Sequence, residues 1–250
     1  MTNRPAFLII GAHKSGTTTI FHLLKRHPDL FGPNPKELRY FSRLFHRGEN
    51  WYLQHFRDCL PGQLAFEATP QYTYFPQFTG VPERIAKFRP DMKLLYVVRD
   101  PVARIVSHYG LWRRTKSLEY SNAELDFANK TKRNLFVNRT RYMMQINEYR
   151  RWFPDDQIHC IFLEEYVRDP DSVFAGIAKF LGVKPFGKLP KSHQNEGPES
   201  IKEVVRGEIG AEILDGLADD LRPDTSAFLR YTGRSREIWP ESDRAASPAS

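Results

Sequence analysis

Cysteine is scarce. Cys59 and Cys160 are the only two in 250 residues. Two thiols cannot build a disulfide framework, so a small disulfide-stapled scaffold is excluded and reduced, buried thiols are expected. Long apolar runs are missing as well. The longest, Ala6 to Ala12, falls far short of the ~20 residues that a membrane-spanning helix needs. No positively charged start followed by an apolar stretch and a small-residue cleavage site is visible, so a soluble, intracellular chain is expected. Internal repeats, zinc-finger spacing, an aromatic RNP motif and a basic-zipper pattern are also absent. That disfavours nucleic acid as the partner, despite a formal charge of +7.

What is present suffices for a sizeable core. Hydrophobic residues make up 40% of the chain and aromatic residues 13%, which rules out a wholly disordered or collagen-like chain. The charge is placed unevenly. Arg99 to Arg151 holds twelve Lys or Arg against five Asp or Glu, leaving 25 of each sign elsewhere. One segment carries the whole excess, which points to an anionic ligand unless it is a solvated basic helix face.

Ala6-Phe-Leu-Ile-Ile-Gly11 is a short apolar run ended by glycine, as in a strand buried on both faces. Thr17 to Arg26 reads as a helix that His27-Pro28 stops. Lys93 to Val98 is a second buried strand, and Pro101 suits the first turn of the helix after it. Ile158 to Leu163 is a third, followed by a helix over Ser172 to Leu181 that Gly182 ends. Apolar strands alternating with helices predict an α/β fold: a single domain over residues 1–240 with a central, mainly parallel sheet flanked by helices. Residues 185–197 read as a long loop, and 241–250 as a disordered polar tail.

Ligands of such sheets bind beyond the carboxyl ends of the strands, so the loops after Ile10 and Val98 are where chemistry is expected. The first loop reads Gly11-Ala-His-Lys-Ser-Gly-Thr-Thr18. Two glycines and a helix start aim backbone N–H groups and a positive dipole end at one point, and Lys14 adds a full charge. The loop is P-loop-like without being a Walker A sequence, because Lys14 precedes Gly16 instead of following the last glycine. The second reads Arg99-Asp-Pro-Val-Ala-Arg-Ile-Val-Ser-His108. Its Arg99 fork and Ser107 hydroxyl suit a second phosphate.

Together these two motifs resemble the sulfotransferases that use 3′-phosphoadenosine 5′-phosphosulfate (PAPS). Pro35-Lys-Glu-Leu-Arg-Tyr-Phe41, Trp51-Tyr52 and Phe66-Glu-Ala-Thr-Pro-Gln-Tyr72 are similar in order and spacing to the heparan sulfate members. The resemblance runs from Phe7 to Arg114 and resumes more weakly to a closing segment, Leu229 to Trp239. It implies that Lys14 contacts the leaving oxygen, with His13, Ser15, Gly16, Thr17 and Thr18 around the 5′-phosphosulfate. Arg99 and Ser107 are implied for the 3′-phosphate, and Lys191 for a loop folding over the nucleotide. Glu37 falls where the family keeps the base that deprotonates the acceptor. The implied acceptor is a glycan hydroxyl or amine, and no metal is implied.

Ala68 departs from the lysine common at that place, which puts the heparan acceptor itself in doubt. A C-terminal cysteine pair is also absent, so a cytoplasmic, bacterial enzyme is expected. The alternative is an ATP-dependent phosphotransferase of P-loop type. His13 and His108 are secondary candidates for the base. Tyr72 and Tyr74 serve either as an acceptor cleft or as packing.

Overall fold

The computed structural model describes residues 4–115, 123–189 and 199–243. In chain order come β1 (Phe7–Gly11), α1 (Thr17–Leu24), β2 (Leu30–Phe31), α2 (Gly48–Leu53), β3 (Leu64–Ala68), α3 (Val81–Phe88) and β4 (Lys93–Val98). Then follow α4 (Pro101–Thr115), α5 (Ala123–Ala128), α6 (Lys130–Asn138), α7 (Tyr142–Arg150), β5 (Ile158–Phe162), α8 (Leu163–Arg168) and α9 (Pro170–Leu181). Helices α10 (Glu199–Ile209), α11 (Ala211–Thr232) and α12 (Pro240–Asp243) complete the order. By contact density the chain forms two compact units, Met1–Val98 with Ile146–Gln194 and Arg99–Gln145 with Asn195–Ser250.

The first unit is the sheet. Five strands in the order β2-β3-β1-β4-β5 run parallel throughout, with Phe7 opposite both Phe66 and Lys93, and Leu94 opposite Ile158. β1 lies at the centre because all five of its residues are buried, the pattern of a strand covered on both faces. One face carries Phe7, Ile9, Phe66, Leu95, Val97 and Ile161 against Ile20, Phe21 and Leu24 of α1, Tyr166 of α8 and Phe174 and Ile177 of α9. Phe7 and Phe66 stack with ring centres 4.7 Å apart. Each such side chain contributes ~1.5–3 kcal/mol on burial, so this face alone anchors three helices. The other face carries Glu67, beside Leu8 in the register, under Tyr52 of α2.

The three strands read from sequence stand as expected, and β2 and β3 join them. Helix α9 begins at Pro170, two residues earlier than Ser172, because the Asp169 side chain accepts from the Ser172 N–H (3.0 Å) and caps it. Gly182, at φ 76°, ends it in the left-handed conformation. Neither cysteine is in a disulfide; Cys59 is buried and Cys160 half-buried.

The second unit is helical. Ile105 and Tyr109 of α4 pack with Phe136 of α6, Val205 and Ile209 of α10 and Leu217 and Leu221 of α11. Arg104, wholly buried, donates to the Thr140 hydroxyl (2.9 Å) and the Phe136 carbonyl (2.9 Å). Arg113 and Arg133 pair with Glu208 and Asp220 of the C-terminal helices. Part of the basic excess of residues 99–151 therefore neutralises acids of its own unit and is not offered to a ligand. The tail expected from Glu241 opens with the ordered turn of α12, whose Ser242 donates through N–H and hydroxyl to Asp100 (3.0 and 2.8 Å). Residues 244–250 lie outside the described residues.

Candidate active site

β1 delivers the chain to its carboxyl end at Gly11, where a side chain has no room. A Cβ there would come within 2.9 Å of the Tyr96 ring and closer still to the Thr73 hydroxyl. The Ala12 N–H donates to the Val97 carbonyl (2.6 Å) and the Ser15 N–H to Ala12 (3.2 Å), which turns the loop back over the sheet edge. Lys14 takes φ 67° and Gly16 φ 87°. For Lys14 that left-handed conformation costs about 1 kcal/mol or more, strain that persists only where its surroundings over-determine it. No side chain caps α1, so the N–H groups of its first turn, at Thr17 and Thr18, have no intrahelical acceptor. Ser15 is wholly buried, and its hydroxyl has no hydrogen-bond partner among the described residues. A buried hydroxyl in that state leaves ~1–3 kcal/mol of hydrogen bonding to be regained. The chemistry of this donor set is that of an oxyanion cradle.

Glu37 stands on the loop after β2, at φ 67°, with Arg39 at φ 55°. Its carboxylate pairs with Lys36 (3.0 Å) and Arg39 (3.4 Å) and is 29% exposed. The loop is tied to the carboxyl end of β3, the strand beside β1. The Arg39 N–H donates to the Thr69 hydroxyl (3.1 Å), and the Thr69 N–H to the Ile9 carbonyl (3.0 Å). The Glu37 loop and the Lys14 loop thus hang from neighbouring strand ends.

Sequence reasoning gave no role to Glu67, which the structure places wholly buried under this loop. It accepts from Tyr52 (3.2 Å), Tyr72, Thr69 (3.3 Å) and the Leu38 N–H. Burial pushes its carboxyl up to about 7, against the pull of those four donors. A carboxylate inside an otherwise apolar strand, followed by Thr-Pro, was the signal available in the sequence.

Arg99 directly follows β4 and belongs to the second unit. Its Nε is buried and without a hydrogen-bond partner among the described residues. Asp100 next to it caps α4, accepting from Val102 (2.9 Å) and Ala103 (3.1 Å), so Ser107 sits about two turns into that helix. Other candidates divide plainly. His13 meets the Tyr74 ring edge-on at 6.2 Å, within the first unit. His108 is buried against Phe136 (4.8 Å) and beside Arg139, within the second. Tyr72 is committed to Glu67 and is packing, not an open cleft. Ala68 is sealed in the core and offers no polar group from its position. Lys191 and its loop lie outside the described residues.

A family model for the sulfotransferase domain matches residues 4–205, most of the chain and every candidate above. The chain belongs to the sulfotransferase domain family. Its sequence is 29% identical over 254 residues to mouse heparan sulfate glucosamine 3-O-sulfotransferase 3B1, covering 92% of this chain and 64% of that one. It is 31% identical over 191 residues to the human heparan sulfate glucosamine 3-O-sulfotransferase 6, covering 72% and 53%. This sulfotransferase domain therefore spans less than two thirds of the length of those relatives. Among solved structures, a sulfotransferase from Alicyclobacillus acidocaldarius superposes with a TM-score of 0.76 at 26% identity, covering 95% and 99% of the two chains. The sulfotransferase domain from the curacin biosynthetic pathway shares the fold alone, with a TM-score of 0.58 at 16% identity.

Proposed function

We propose that this domain transfers a sulfuryl group from PAPS to a hydroxyl or amine of a carbohydrate acceptor. The observation that carries the reading is the buried Ser15 hydroxyl, without a hydrogen-bond partner among the described residues, beside left-handed Lys14 in a loop that feeds a helix with no side-chain cap. Those groups suit the 5′-phosphosulfate, and the Nε of Arg99, which has no hydrogen-bond partner among the described residues, suits the 3′-phosphate together with Ser107. PAPS would supply an activated sulfuryl group, with the 5′-phosphate of adenosine 3′,5′-diphosphate as the leaving group. Lys14 and the N–H groups of the loop meet the negative charge that grows on the leaving oxygen. Glu37 accepts the proton of the acceptor hydroxyl as that oxygen becomes acidic. The glycan acceptor rests on the heparan sulfate relatives, and Ala68 argues for an acceptor whose recognition does not use a cation at that place.

Isothermal titration with adenosine 3′,5′-diphosphate and with ADP–magnesium tests the donor. Tighter binding of the first, with no need for magnesium, is expected; the reverse order would move the domain to ATP-dependent phosphotransfer. Glu37→Gln keeps shape and removes basicity, so turnover is expected to fall ~10²-fold or more with nucleotide binding intact.

A further inference from the structure

We propose that Glu67 is a positioning residue for the reaction, holding the backbone around Glu37 in the conformation that presents its carboxylate. This rests on the assignment of Glu37 as the base made above. The segment 37–41 contains two non-glycine residues in the left-handed region, Glu37 at 67° and Arg39 at 55°. Such a pair persists only where neighbouring groups over-determine it.

Those neighbours converge on one carboxyl group. The Leu38 N–H donates to Glu67 itself. The Arg39 N–H donates to the Thr69 hydroxyl (3.1 Å), which in turn donates to Glu67 Oε2 (3.3 Å). The Phe41 N–H donates to the Tyr72 hydroxyl (3.3 Å), which donates to Glu67 Oε1. Three backbone N–H groups of one loop thus end on Glu67, directly or through one hydroxyl. Tyr52 of α2 completes the set at Oε1 (3.2 Å). The inward face of β3 needs no carboxyl for packing, and a buried carboxyl is costly unless every partner is in place. Its partners here all belong to the loop or to the hydroxyls that brace it.

The test uses the full chain and two readouts. In amide hydrogen exchange, Glu67→Gln should cost Leu38, Arg39 and Phe41 at least about tenfold in protection, while Ile177 and Ala178 in α9 keep theirs. This arm needs neither PAPS nor acceptor, so its outcome is independent of the proposed activity. Unchanged protection at the three amides would overturn the proposal. Should Glu67→Gln not fold, Thr69→Val removes only the acceptor of Arg39 and the hydroxyl brace, and the same comparison decides.

The second readout is turnover with PAPS and a heparan sulfate oligosaccharide as the acceptor probe. Glu67→Gln should lower kcat by about tenfold or more without changing the dissociation constant of adenosine 3′,5′-diphosphate. In a Glu37→Gln background the same substitution should cost less than about twofold, because its effect runs through Glu37. Full additivity of the two losses would show Glu67 acting elsewhere. Wild-type turnover in Glu37→Gln alone would instead remove Glu37 as the base, and it is read on a variant that leaves Glu67 untouched.

Discussion

The Tyr142 hydroxyl donates a 2.8 Å hydrogen bond to the carbonyl oxygen of Arg99. Tyr142 is wholly buried at the start of α7, packed against Phe228 and Trp239, so the donor has little freedom to leave. Asp224 of α11 fastens the same helix end, accepting from the Met143 and Met144 N–H groups (3.0 and 2.8 Å). Arg99 is thus pinned through its own backbone.

Removing that pin should be felt at the nucleotide. Tyr142→Phe is expected to weaken binding of adenosine 3′,5′-diphosphate by about 0.5–1.5 kcal/mol, the scale of one hydrogen bond. Binding of adenosine 5′-monophosphate should be unaffected. Calorimetric titration of both ligands checks this, and equal losses would assign Tyr142 to general stability.

Arg99→Ala should act on the same ligand more strongly. A charge-assisted hydrogen bond is worth about 1.5–3 kcal/mol, so the dissociation constant should rise by that amount for nucleotides bearing a 3′-phosphate. Nucleotides without one should bind nearly as before. A loss of equal size for both ligands would take Arg99 out of this role.

Lys14→Met tests where the loop's charge matters. Negative charge on the leaving oxygen is greater in the transition state than in the ground state, so turnover should fall by orders of magnitude. Affinity for the product nucleotide should fall by less. The substitution keeps a flexible side chain at φ 67°, so circular dichroism is expected to report an unchanged fold. A folded variant with nearly full activity would contradict the phosphosulfate assignment.

Two carboxyls, the buried Glu67 and the half-buried Asp224, predict a pH dependence of stability. Burial raises Glu67 from 4.5 to about 7 and Asp224 from 3.8 to about 6. Between those limits the folded chain binds more protons than the unfolded one, so stability falls as pH rises. The contribution of Glu67 is complete below its unfolded value and is lost as pH passes through about 7. Over that range it amounts to ~3 kcal/mol. Urea denaturation from about pH 5 to about pH 8 should therefore show declining stability, and a shallower decline in Glu67→Gln. Identical slopes for the two proteins would mean that Glu67 does not titrate there.

The sequence by itself determined the strands that are apolar at nearly every position and the loops that follow them. Phe7–Gly11 is buried throughout, Lys93–Val98 at every position after Lys93, and Ile158–Phe162 at three of its five positions, and burial of that extent leaves a readable apolar run. The places of Lys14, Gly16, Arg99 and Ser107 relative to the sheet were legible for the same reason, since each lies at a fixed offset from the end of a strand. β3 was not legible. Its five residues, Leu64–Ala68, include Glu67, and a carboxyl in the middle erases the apolar run. Only the folded chain brings Tyr52, Thr69 and Tyr72 around that carboxyl, and these contacts are what make its burial tolerable. The basic segment from Arg99 to Arg151 shows the same limit. Local sequence displays its charge, but Glu208 and Asp220, which balance Arg113 and Arg133, arrive from helices some ninety residues on. Local pattern is written along the chain, whereas the partner of a buried or paired charge is chosen by tertiary packing.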